Sequence, residues 1–124
     1  MECKRAIERI NAFVKNFIFF EFSLYSYSKE KLVIVGSQNL SYYHSIEIHL
    51  ENPFHIDSRA DWIVNVDSLV VKELAELEFF EYNRKNKIEV GTKALKFIDQ
   101  DECVFYYAFS EIEVFEKVVK YYPE

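Results

Sequence analysis

Residues 17–36 read FIFFEFSLYSYSKEKLVIVG, a run in which apolar and polar side chains change places at every second position. Phe20, Phe22 and Leu24 alternate with Glu21 and Ser23, and Tyr25 and Tyr27 continue on the Glu21 side. A period of two is the signature of a half-buried strand. SKEK then makes a turn, and LVIVG is a short apolar strand, so the stretch predicts a β-hairpin. Upstream the period lengthens. Ala6, Ile10, Phe13 and Phe17, supported by Ile7 and Val14, recur at helical spacing and predict a helix over residues 2–16. Glu2 at its start and Lys15 near its end suit the helix dipole. Its apolar stripe should lie on a sheet.

Downstream, SYYHSIEIHL (41–50) predicts a third strand. Alternation places Tyr42, His44, Ile46, Ile48 and Leu50 on one face, and Tyr43, Ser45, Glu47, His49 and Glu51 on the other. Asn52 and Pro53 suit a type I turn, after which IDSRADWIVNVD returns as a fourth strand. Matching faces across this pair sets Leu50 opposite Ile56, His49 opposite Asp57 and Glu47 opposite Arg59. Residues 68–84 suggest a second helix capped by Ser68, with Val70, Leu74, Leu77 and Glu81 as its stripe, although LEFFEY also has strand character. IEVGTKALKFI, DQDE and CVFYYAF read as strand, turn and strand, with a break at Gly91. Near the C-terminus, Ser110 and Glu113 resemble a capping box. Ile112, Phe115, Val119 and Tyr122 are spaced for a helix there, against a competing strand alternation in EIEV. The whole is a single α+β domain over 1–124. A mostly antiparallel sheet of five to seven strands is packed by the N-terminal helix and one or two further helices.

Composition narrows the function classes. The chain has 124 residues, 50% hydrophobic and 29% charged, which suits one globular core and not disorder. Its two glycines, Gly36 and Gly91, are isolated, so no Gly-rich phosphate loop exists. A net charge of −6 disfavours nucleic acid and suits a basic protein partner. Cys3 and Cys103 form no disulfide framework or CxxC motif and fit a reducing cytoplasm. Neither a signal peptide nor a membrane-spanning helix is read in the chain.

The three histidines, His44, His49 and His55, all fall within residues 41–57, together with Glu47, Glu51 and Asp57. Glu47, His49 and Asp57 are the residues that a metal or acid–base site would use. No HExxH, CxxC or nucleophile elbow accompanies them. The register above explains them as a solvent-facing row of cross-strand pairs, with no catalytic residue, metal or cofactor implied. The doublets Tyr42-Tyr43, Tyr106-Tyr107 and Tyr121-Tyr122 put one ring of each pair toward solvent, where tyrosine is a good interface anchor. Tyr43, Glu47, His49, Glu51 and Asp57 are therefore the candidate binding residues. Exposed strand edges also allow a homo-oligomer.

The segment GSQNLSYYHSIEIHLENP, Gly36 to Pro53, resembles a strand segment of small bacterial α+β proteins. In size, acidity and α+β pattern the chain is also similar to polymorphic-toxin immunity proteins. That likeness implies a cytoplasmic inhibitor acting by direct protein binding, and it assigns no residue.

Overall fold

The computed structural model describes residues 1–89 and 91–122. Its first element is the helix α1 (Cys3–Val14), with Glu2 and Lys15 at its caps. The strands β1 (Phe20–Tyr27) and β2 (Lys31–Ser37) pair antiparallel as the expected hairpin. Next come β3 (Tyr43–His44), β4 (Ile46–Glu51), β5 (His55–Asp57) and β6 (Asp61–Val64). A short strand, β7 (Val71–Glu73), precedes the second helix, α2 (Glu76–Asn86). The strands β8 (Lys93–Ile98), β9 (Val104–Phe109), β10 (Glu111–Phe115) and β11 (Val119–Lys120) follow. The fold is α+β. Its antiparallel strands are divided between a five-stranded sheet, β10-β4-β2-β1-β6, a four-stranded sheet, β5-β9-β8-β7, and a small β11-β3 ladder.

The inner faces of the two large sheets enclose one core. Register stacks Leu32, Leu50 and Ile112 in one row and Ile34, Ile48 and Val114 in the next, all buried. Phe22 meets Phe97 of the opposite sheet with ring centroids 5.2 Å apart, and Trp62 meets Phe105 at 5.3 Å. The helix α1 inserts Ala6, Ile7, Ile10 and Val14 into the same core. It packs against β10 and β7, the edge strands of the two sheets.

The strands β4 and β10 pair in the first sheet, and their continuations β5 and β9 pair in the second. Both strands of this ribbon therefore turn the corner together. Asn52 adopts a left-handed φ of 47°, a conformation that Asn tolerates. Its Nδ2 donates to Ser110 Oγ at 3.0 Å. The Ser110 backbone N–H and hydroxyl both donate to Glu51 O, at 2.9 and 3.1 Å. The corner corrects the expected hairpin. Leu50 lies opposite Leu32 and Ile112, His49 opposite Val33 and Glu113, and Ile56 opposite Tyr107. Residues 52–54 carry the chain to a different sheet instead of folding it back on itself.

Two other expectations change. The predicted helix over 68–84 starts only at Glu76, because Val70 and Val71 are buried at the edge of the four-stranded sheet. Leu77, assigned to the buried stripe, is 75% exposed, whereas Tyr82 is buried and Phe79 half-buried. Residues 111–115 form a strand, not a helix. Ile112 and Val114 turn inward alternately, and the Ser110 hydroxyl serves the corner and not a helix cap. The strand reading of residues 88–98 is met from Lys93 onward; Val90 lies outside the described residues.

Candidate functional site

The outer face of the five-stranded sheet carries most of the candidate residues. Register aligns Val35, Glu47 and Phe115 in one row, Val33, His49 and Glu113 in the next, and Lys31, Glu51 and Glu111 in a third. The β3–β11 ladder adjoins this face. Between β3 and β4 the chain bends at Ser45, whose N–H donates to Gly36 O at 2.9 Å. The bend interrupts the alternation of residues 41–50. His44, expected opposite His49, instead reaches the same carboxylate.

That carboxylate is Glu47. His44 Nε2 lies 2.7 Å from its Oε2, and His49 Nε2 lies 2.9 Å from its Oε1. Lys117 Nζ stands 3.6 Å from Oε2. Glu47 is 8% exposed and His44 fully buried, so the expected solvent-facing row is in fact a buried clasp. Burial by itself would raise the Glu47 pKa. The hydrogen bonds from His44 and His49 and the nearby Lys117 ammonium overcome it and hold the carboxyl below its usual value. An ionised carboxylate only accepts, so both imidazoles donate from Nε2. His44 Nδ1 lies 2.7 Å from the Tyr121 hydroxyl, which donates to it when the imidazole is neutral.

The order Tyr121, His44, Glu47 matches the hydroxyl, imidazole and carboxylate of an activated nucleophile. The electrostatics run the other way. Burial, followed by the neighbouring Tyr25 and Glu47, raises the Tyr121 pKa, so the phenol keeps its proton. Cys3 is no better placed: burial, reinforced by Glu73, pushes its thiol up to about 11. The clasp acts as a latch. It ties the β3–β11 ladder to the sheet through a carboxylate that three side chains share.

Above the latch lies an aromatic surface. The Tyr25 ring stacks on Tyr121 at 6.3 Å and meets His44 at 5.3 Å, and Tyr42 meets Tyr122 at 6.1 Å. Tyr121 N–H donates to Tyr42 O at 2.9 Å, which joins the two ring pairs. Tyr43 is half-buried opposite Lys120. Phe115 packs on His49 with centroids 4.8 Å apart.

Of the five candidate residues, Tyr43, Glu47, His49 and Glu51 lie on β3 and β4. Asp57 is on β5, in the other sheet, and does not join them. Glu47, His49 and Asp57 therefore do not form one constellation. Among the described residues no group of three His, Cys, Asp or Glu side chains is placed to hold a metal ion. The fold adds Tyr25, His44, Lys117 and Tyr121, which the sequence pattern did not connect. Tyr121 is 77 positions from His44, and only the β3–β11 pairing brings them together.

Asp57 belongs to a second polar region, where α2 lies on the outer face of the four-stranded sheet. Ala94 and Ala108 are small enough to let Tyr82 and Ile88 approach and form a separate buried cluster. His55 Nδ1 lies 2.6 Å from the Tyr82 hydroxyl, and Tyr82 stacks on Tyr106 at 5.3 Å. Comparison with family models, curated proteins and solved structures finds no match to the chain.

Proposed function

We propose that the chain is a cytoplasmic protein-binding module that engages its partner through the tyrosine surface over β3 and β11. The observation that carries this reading is the pre-ordered exposure of its rings. Tyr25, Tyr42 and Tyr122 are 55%, 61% and 64% exposed, yet each is held against another ring. Tyrosines held in this way bury a large area on docking at small entropic cost. Val118 and Phe115, the latter packed on His49, are further exposed apolar side chains close to β11 in the chain. The net charge of −6 suits a basic partner and speeds encounter with one. The specific form of the reading is an immunity-type inhibitor that blocks a toxin by direct contact, as the likeness in size and acidity implies.

The test is paired affinity capture from native lysate, with the wild-type chain and a Tyr25→Ser/Tyr42→Ser/Tyr122→Ser variant. A protein retained stoichiometrically by the wild type and lost by the variant is the expected result. Equal retention by both, or no retained protein, overturns the assignment.

A further inference from the structure

A cleft of about 550 Å³ opens between α2 and the edge strand β5, within the range of sites that enclose a side chain or small ligand. His55 and Asp57 stand on its β5 side, Tyr106 on the sheet, and Tyr82, Arg84 and Lys85 on α2. Most of its charges have structural partners. Glu78 takes Lys96 Nζ at 2.8 and 2.9 Å and the Tyr106 hydroxyl at 3.1 Å. Glu81 takes Arg84 at 2.8 Å. Arg84 and Lys85 occupy the last turn of α2, where cations offset the helix carbonyls.

Asp57 has no such role. Among the described residues it makes no ion pair. It lies directly across the ladder from Tyr106, in the row continued by Lys96, whose ammonium is held by Glu78. Its negative charge is felt by the surrounding phenols: after burial, it is among the causes that raise the pKa of Tyr82, Tyr106 and Tyr107. Arg84 and Lys85 share the lining, but Asp57 is the carboxylate of this cleft that stands outside any ion pair, and such a carboxylate beside an aromatic ring recognises a planar cation. The carboxylate accepts two parallel N–H bonds while the ring takes the flat face.

We propose that this cleft receives an arginine side chain of the partner protein, its guanidinium paired with Asp57 beside the Tyr82–Tyr106 ring pair. The inference rests on the protein-binding reading and adds a second contact, with a stated chemistry, at a site on the other sheet from the tyrosine surface. It also gives the acidic charge of the chain a local destination.

The test titrates the protein with N-acetyl-arginine amide while the side-chain NMR signals of His55 and Tyr106 are followed. The neutral isostere N-acetyl-citrulline amide serves as the control. Saturable shifts with the arginine probe are expected, with binding about tenfold weaker or worse for the citrulline probe and for Asp57→Asn. Asp57 is exposed, so that variant should keep the wild-type unfolding midpoint. Equal binding of the two probes, or no response at His55 and Tyr106, overturns the cleft assignment even if the tyrosine surface captures a partner. Arginine binding without any captured partner overturns the protein reading and leaves only a guanidinium site.

Discussion

Glu47 shows how much a single side chain can hold when its surroundings are arranged around its charge. Two imidazoles and an ammonium converge on it, and its folded pKa lies below the ordinary 4.5. A carboxyl with a lowered folded pKa contributes stability that is complete above about pH 4.5 and is lost as the pH falls through the lowered value. Glu47→Gln should therefore cost about 1–3 kcal/mol at neutral pH. It should also flatten the acid limb of the stability curve. Urea midpoints of both proteins, compared at neutral pH and near pH 3, check this; a variant with the same acid dependence as wild type would remove the latch. Gly36 makes a different single-residue demand. A Cβ there would fall 2.6 Å from Phe20 Cε2, 2.7 Å from Phe22 Cε1 and 2.9 Å from Ile46 Cγ2. Both rings are fully buried and cannot retreat. Gly36→Ala should lower stability by about 1–3 kcal/mol through overpacking, measured by chemical denaturation.

Among the elements, the edge strands β7 and β10 are blunted by α1, and β6 by a loop. Asn11, buried on α1, accepts from Val70 N–H at 2.8 Å and Val71 N–H at 3.2 Å and donates to Val71 O at 2.9 Å. One side-chain amide thus stands in for a neighbouring strand along β7. Arg9 Nη1 donates to Val114 O on β10 at 3.2 Å, and Gln100 N–H to Ile63 O on β6 at 2.9 Å. An open edge invites pairing with another chain. Asn11→Leu keeps the branching and the number of heavy atoms but strands three buried backbone groups, and should cost about 2–4 kcal/mol. It should also expose β7 to self-pairing. Denaturation midpoints and light scattering at rising concentration read the two effects separately. An unchanged midpoint would mean that the edge needs no such cover.

At the scale of the molecule, stability is unevenly shared. The main cluster joins both sheets and α1, while α2 rests on a small satellite of Tyr82, Ile88, Ala94 and Ala108. Exposed Leu77 and Phe80 contribute nothing to either. The helix α2 should therefore open locally before the rest unfolds. Native-state hydrogen exchange is expected to show α2 amides exchanging well ahead of those in β1, β2 and β4. Protection of α2 equal to that of the central sheet would show one cooperative unit instead.

Local pattern alone determined the first hairpin, the N-terminal helix and the inward set Phe20, Phe22, Ile46, Ile48 and Leu50. Each depends on a repeat of two or about 3.6 residues, which the pleat or the helix imposes wherever one face is buried. The rest was settled by contacts that no window of sequence contains. The corner at Asn52 and Ser110 is made by residues 58 positions apart, and it sends β5 to the second sheet, which separates Asp57 from His49. The bend at Ser45 reversed the face expected of His44. The latch required Lys117 and Tyr121 to return beside Glu47 through the β3–β11 ladder. Periodicity reports which side of an element is buried. Which elements then share that burial, and which charges they bring together, is a property of the packed chain.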